Sequence, residues 1–297
     1  MATGRRVGSV AGLWRFPVKS MQGERLVQAD LTEHGLPGDR AYALLDTATG
    51  KVVSAKSVKR FPDLLQCRAA FVAPPQVGSE LPPVEITLPD GMTIRTDSSD
   101  VSGVLSAFFA HDVTLARAAP DDFTIDQYHP DVEDVDPAGH RDTVVEQKLG
   151  AAFFTEVGIP SPVPVEAFFD LFPVSVLTTS SLAQLSALQP QSRFDERRFR
   201  MNVIIKTADA GFVENDWASR QLAIGEAVRL TVALPDPRCV MTTLAQDDLP
   251  KDTEVLRTLV RHNRVQVADA GLFPCAGVYA VVNAPGPLRT GDGVALL

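Results

Sequence analysis

The chain has 297 residues, 45% of them hydrophobic and 22% charged, enough for a sizeable core and for two domains. With 28 Lys and Arg against 37 Asp and Glu, the formal net charge is −9, which disfavours nucleic acid and acidic membranes as partners outside a local basic patch. Cys67, Cys239 and Cys275 form no CxxC pair, which argues against a disulfide scaffold or an intrinsic iron–sulfur cluster and for a reducing, cytoplasmic setting.

The opening stretch, Met1 to Val10, carries charge but no long apolar run, so neither a signal peptide nor a membrane anchor is expected. Residues 7–75 read as short strands broken by glycine and proline, with a hairpin turn at Asp46 to Gly50. Helical periodicity is scarce there, so a small barrel or curled sheet is expected. An amphipathic helix is predicted over 99–109, capped by Ser98 or Ser99. Residues 117–143 are rich in Asp and poor in apolar anchors and read as solvated loop. Their spacing does not match an EF-hand, and His129 and His140 can serve as ligands only if the fold brings them together.

A second domain is expected from residue 166 onward, giving a division into 1–165 and 166–297. The segment around Ser175 reads as a strand ending in hydroxyls, followed by a helix over 181–188 capped by Thr179 or Ser180. Further strands are predicted over 199–205, 227–234 and 277–282, with a helix over 250–260 that turns Leu256, Leu259 and Val260 inward. The fold class that emerges is mainly β with peripheral helices.

Four patches carry chemistry. Asp236-Pro-Arg-Cys239 puts a cysteine in a stiff bend beside an arginine, which favours the thiolate that soft metals prefer. Arg193, Arg197, Arg198 and Arg200 form a cationic group; read as a strand, Arg198 and Arg200 share one face with Asn202 and suit a phosphate or a heterocycle edge. Lys19 and Ser20 stand in a loop before Gly23, and Asp39-Arg40 follows Gly38; both suit anion binding or a buried ion pair. Glu214, Asn215 and Asp216 read first as a helix cap. Taken singly, each patch also has a structural reading.

Taken in chain order, the patches resemble the MOSC family of molybdenum-cofactor proteins, most nearly the amidoxime-reducing components of mitochondria and their bacterial relatives. The resemblance rests on Phe16-Pro-Val-Lys-Ser-Met21, Gly38-Asp-Arg-Ala-Tyr42, Arg198-Phe-Arg-Met-Asn202, Glu214-Asn-Asp-Trp217, Arg238-Cys-Val-Met-Thr-Thr243 and the Gly291-Asp292 turn. It implies an N-terminal MOSC-associated β-barrel domain followed by a MOSC β-barrel domain. It implies Cys239 as the protein sulfur on molybdenum, with Lys19, Ser20, Arg40, Ser175, Arg198, Arg200, Asn202 and Thr242 holding the molybdopterin. The activity it implies is reduction of N-hydroxylated compounds to the parent amine, amidine or base. Small N-oxygenated substrates are expected, and a separate ferredoxin or flavin reductase supplies electrons because the chain stops at Leu297 without a ferredoxin domain.

The chain departs from the family pattern at Phe16 (usually Tyr), Met21 (usually Cys), Met201 (usually Pro) and the run after Thr243. Two other classes stay open at this point. One is a non-redox carrier of the molybdenum cofactor or its sulfur. The other is a barrel for a different phosphorylated ligand, such as pyridoxal phosphate, with Cys239 incidental.

Overall fold

Apolar residues at every second or third position give several segments one buried face, as in Arg5–Arg15, where Val7, Val10 and Leu13 point inward, and Val228–Pro237, where Val228, Leu230 and Val232 do. In the computed structural model, which describes residues 4–297, these segments are strands of one barrel. Residues 1–3, the head of the stretch read as lacking a targeting signal, lie outside the described residues.

Arg5–Arg15 is flanked by Val203–Thr207 and Gly293–Leu296. The order continues through Gln221–Ile224, Val228–Pro237 and Leu272–Ala284, and Val174–Thr178 closes the ring by pairing with both Leu272–Ala284 and Val203–Thr207. The result is a closed seven-stranded barrel. Its pairings are antiparallel except between Val174–Thr178 and Val203–Thr207, and that parallel pair has a crossover helix, α3 (Thr179–Leu188), between its strands. Val176, Val203, Ile205, Leu230 and Trp217 lie in the barrel's core cluster. The first strand of the chain is therefore a stave of a barrel whose other six staves lie beyond residue 173.

The intervening residues form small antiparallel sheets: Ala43–Asp46 with Val113–Ala116, Arg68–Phe71 with Val84–Thr87 and Thr93–Arg95, and Thr124–His129 with Thr143–Lys148. Helix α1 (Val101–Phe109) packs Leu105 and Phe109 onto a second core that contains Val18, Met21 and Phe61. Met21 is fully buried there, so the thioether that replaces a thiol fills core volume. Helices α2 (Gly150–Glu156) and α4 (Glu254–His262) complete the mainly β fold. Among the described residues, no helix is long and apolar enough to cross a membrane.

Local expectations needed several corrections. Helix α1 starts after Asp100 with no side-chain cap, because Ser98 Oγ donates to Asp100 at 2.5 Å instead. Helix α3 starts at Thr179, and its cap is Thr178, whose hydroxyl accepts the Ser181 N–H at 3.2 Å. Helix α4 starts at Glu254, where Asp252 accepts the Glu254 N–H at 3.0 Å; Val255, Leu256 and Leu259 are fully buried, while Val260 is only partly so. The acidic stretch 117–143 is not simply loop: Phe123 and Ile125 enter a core cluster, which commits Thr124–His129 to a strand.

Candidate functional site

Asp39 organises the first part of the site. Its Oδ1 accepts the Phe16 N–H at 2.7 Å, and its Oδ2 accepts the Asn202 amide at 2.9 Å and pairs with Arg40. Asn202 Oδ1 in turn accepts from the Ser175 N–H (3.1 Å) and hydroxyl (3.0 Å). Ser175 and Asn202, both expected to touch a cofactor, are thus spent on a buried lock that fixes Asp39. Arg40 Nη2 donates to the Arg200 carbonyl at 3.0 Å, joining residues 160 positions apart.

Phe16 lies buried among cations. The guanidinium of Arg200 stands 4.3 Å from its ring centroid and that of Arg40 stands 4.6 Å away, while Trp14 stacks on it at 6.3 Å. Ser20, Arg40 and Arg200 all have left-handed backbones, at φ 65°, 50° and 55°. Such conformations are costly for residues with side chains and gather at ligand clamps. Ser20 Oγ faces Ser54 Oγ at 3.4 Å.

Asp170 is gripped by two buried lysines, Lys19 on one carboxylate oxygen and Lys56 on the other, the latter at 2.9 Å. Lys19 also donates to the Phe168 carbonyl at 3.0 Å. Burial alone would raise the Asp170 pKa, yet the two ammonium groups hold it well below the carboxylate range. Burial lowers Lys19, against the pull of Asp170. Burial opposes the charge on Lys56 too, but Asp170 and the sulfur of Cys239 outweigh it and leave Lys56 raised.

The arginines of the second patch divide by role. Arg197 and Arg198 sit on a 3-10 turn, Glu196–Phe199, with Arg200 at its end, and not on a strand, because Asp195 accepts the Arg197 N–H at 3.0 Å and starts the turn. The strand begins only at Val203, so Arg198 and Arg200 do not share a strand face. Arg198 donates to the carbonyls of Arg193, Thr242, Leu244 and Pro250 and so staples the turn to the bend after Cys239. Arg193 and Arg197 pair with Asp248 near the surface. Arg200 alone turns to Phe16, donating to the Met21 carbonyl; burial, then the charge of Arg40, pushes its pKa down to about 9.

Cys239 is half-buried, whereas Cys67 and Cys275 are buried and their thiols are pushed up to about 12 by desolvation. Its carbonyl accepts the Thr242 hydroxyl at 3.0 Å, so Thr242 holds the bend. The preceding Arg238 donates to Asp236 at 2.5 Å and to the Phe199 carbonyl at 2.6 Å. Burial lifts Asp236 to about 6 in spite of Arg238. The Tyr279 hydroxyl is close enough to couple to that carboxylate, yet Asp236 Oδ1 and Arg238 Nε lack hydrogen-bond partners.

These side chains form one electrically linked cluster in which Lys19, Lys56, Arg40, Arg200 and Arg238 couple to the carboxylates of Asp39, Asp170 and Asp236 and to the sulfur of Cys239. Lys19, Lys56 and Arg200 are buried and Arg40 and Arg238 half-buried, so five cations set against three carboxylates are costly to hold together unless an anion joins them, and a phosphate monoester carries about −1.5 to −2 at neutral pH. The donor set, the unpaired Arg238 Nε and the half-buried thiol therefore fit a phosphorylated cofactor that carries a soft metal. The open surface hollows, about 480 Å³ beside Glu85 and Arg95 and about 300 Å³ beside Thr179 and Gly211, lie elsewhere.

Of the expected residues, Lys19, Arg40, Arg200 and Cys239 belong to this cluster with Ser20 beside it, and Ser175, Asn202, Arg198 and Thr242 support it from behind. Lys56, Asp170 and Asp236 escaped the sequence reading as site residues. Asp170 was visible as the one charge within Phe168-Phe-Asp-Leu-Phe172, a context that signals a paired buried group. Glu214 is buried against Thr178 at 2.6 Å, and Asp216 lies within the 3-10 turn Val213–Trp217 and caps no helix.

Residues 7–117 match the MOSC N-terminal beta barrel domain, and residues 166–295 match the MOSC domain. The human mitochondrial amidoxime-reducing component 1 is 24% identical over 99% of this chain and 84% of its own length. The mitochondrial amidoxime reducing component 2 of Macaca fascicularis is 25% identical over 98% and 84%. The YUAD protein from Bacillus subtilis aligns structurally over 99% of this chain and 98% of its own, with a TM-score of 0.44 and 11% identity.

Proposed function

Since this chain belongs to the MOSC-domain family, we propose that it is a molybdenum-cofactor oxidoreductase that reduces N-hydroxylated compounds. The reading takes its reaction class from relatives named for amidoxime reduction. The observation that carries it is the gathering of buried and half-buried cations beside the one half-buried cysteine.

When bound, the cofactor supplies two-electron redox chemistry at molybdenum. The protein's part is placement and charge. Cys239 Sγ is the protein ligand to the metal. Arg200 and Arg40, held against Phe16, meet the anionic part of the cofactor together with Lys19 and Ser20. Ser175 and Asn202 keep Asp39 and hence Arg40 in register, and Arg198 and Thr242 keep the cysteine bend in place. The Lys56 ammonium, held by Asp170 and coupled to Cys239, is the proton donor that this assignment uses. The net change converts R–NHOH, two electrons and two protons into R–NH2 and water. Electrons come from a separate ferredoxin or flavin reductase, and neither nucleic acid nor membrane takes part.

The test is Cys239→Ser, made in a host that produces the cofactor, with benzamidoxime as substrate and a supplied electron donor. Turnover is expected to be abolished with the circular-dichroism spectrum unchanged. Equal turnover in the variant defeats the assignment of the sulfur. Wild-type protein that binds molybdenum, shows no turnover and releases cofactor to an apo-partner is a carrier instead.

A further inference from the structure

The acidic stretch that joins Thr124–His129 to Thr143–Lys148 folds back on itself and places His129, Asp136 and His140 in one group. Asp136 Oδ2 stands 2.7 Å from His129 Nδ1 and 3.1 Å from His140 Nδ1, and the ligand atoms of the three residues all lie within 4.8 Å of one another. His129 and Asp136 are buried, and His140 is partly open to solvent. The arrangement is fixed from outside. Gln127 Nε2 contacts His129 Nε2 at 3.3 Å, and Asp136 Oδ1 accepts the His140 backbone N–H at 3.2 Å.

We propose that this group is a binding site for one divalent transition-metal ion, held by His129, Asp136 and His140 and separate from the cysteine site. Two imidazoles and a carboxylate suit zinc, cobalt(II) or iron(II), whereas calcium and magnesium prefer all-oxygen sites. Zinc bonds of about 2.0–2.2 Å in a tetrahedron set ligand atoms roughly 3.3 Å apart, so the 3.1 Å Asp136–His140 separation already suits the ion, the 2.7 Å Asp136–His129 separation opens by about 0.6 Å, and the two imidazoles, within 4.8 Å of each other, draw in around it. The open edge beside His140 leaves room for water or a small anion as a further ligand. Glu133 and Asp142 in the same stretch add negative charge, while Asp131 and Asp134 are paired with Arg141 and Arg264 and Lys56 opposes the field at His129.

The position gives the metal a task. Val132 and Val135 of this loop pack on Leu256 of α4, Asp134 pairs with Arg264 at 3.1 Å, and Pro137 abuts Gly271. The loop is therefore a strap from the N-terminal sheets across the barrel's outer helix. A metal at its root ties the strap to the strand that hydrogen-bonds back to Lys56, through Tyr128 N–H at 3.0 Å.

Metal-free full-length protein, titrated with zinc by calorimetry and with cobalt(II) by visible absorption, tests the site. One equivalent of zinc is expected, with the intense visible bands of four-coordinate cobalt, and zinc is expected to raise Tm. Asp136→Asn and His140→Ala are each expected to weaken binding by at least about 100-fold, beyond the tenfold-to-hundredfold typical of groups outside the ligand set. His140 is partly exposed, so its variant keeps the fold, which circular dichroism checks. Cys239→Ser is expected to bind zinc like the wild type, which separates this site from the proposed molybdenum site. Unchanged affinity in both variants, loss of binding in Cys239→Ser alone, or no saturable zinc binding overturns the proposal.

Discussion

Asp170 shows at the scale of one residue how the site is kept charged. Its folded pKa lies below its unfolded value, so its contribution to stability is present above pH ~4 and fades as pH falls through the acid range. Asp170→Asn leaves Lys19 and Lys56 buried without their shared anion, which costs about 3 kcal/mol at pH 7 on the scale of a broken buried pair. The variant's Tm is expected to fall below wild type at pH 7, with the gap narrowing toward pH 3; parallel Tm curves across that range contradict the pairing. The sequence displayed Lys19, Ser20, Arg40, Arg200 and Cys239 as reactive types in stiff or turn-prone settings. It did not display which of them are already satisfied. Asn202 and Arg198 look like binders because amide and guanidinium groups bind anions, yet their donors go to Asp39 and to four carbonyls. That distribution depends on which distant carbonyls the fold brings near.

Elements that obey one simple period were legible, and those set by a single side chain were not. The strand at Val228–Pro237 follows its own alternation. The turn at Glu196–Phe199 does not, because Asp195 diverts a sequence whose alternating arginines otherwise mimic a strand. The long strand Leu272–Ala284 carries a comparable hidden constraint at Gly277, which has φ 81°; a Cβ there would stand 2.5 Å from the Val176 carbonyl oxygen and 2.3 Å from the Met201 methyl. The methionine that replaces the family proline thus fills the space this glycine leaves open, while its sulfur accepts from Arg238 at 3.6 Å. Gly277→Ala is expected to cost about 2–4 kcal/mol from left-handed strain plus overpacking, and to lower Tm by several degrees. A variant with wild-type Tm shows that the seam between Val174–Thr178 and Leu272–Ala284 tolerates a side chain.

Over the whole molecule, the mainly β character and the presence of two matched regions were legible from strand periodicity and ordered motifs, whereas barrel closure was not. Nothing in the composition of Arg5–Arg15 marks it as the partner of Val203–Thr207 and Gly293–Leu296, since pairing at such sequence distances is settled only by the assembled sheet. A division of the chain at 165/166 separates that strand from its barrel, even though the chain's second half carries the other six staves. Val7, Val10 and Leu13 would leave the barrel core, and two strand edges facing each other across the gap would lose their pairing. The fragment 166–297 expressed alone is therefore expected to be insoluble or non-cooperative in thermal unfolding. Co-expression with a peptide of residues 1–26, which restores the strand and its neighbour Glu24–Leu26, is expected to recover part of the soluble yield. A fragment that unfolds cooperatively on its own, with amide protection along Val203–Thr207 and Gly293–Leu296 equal to that in the full chain, shows that the first strand is an addition to the barrel and not one of its staves.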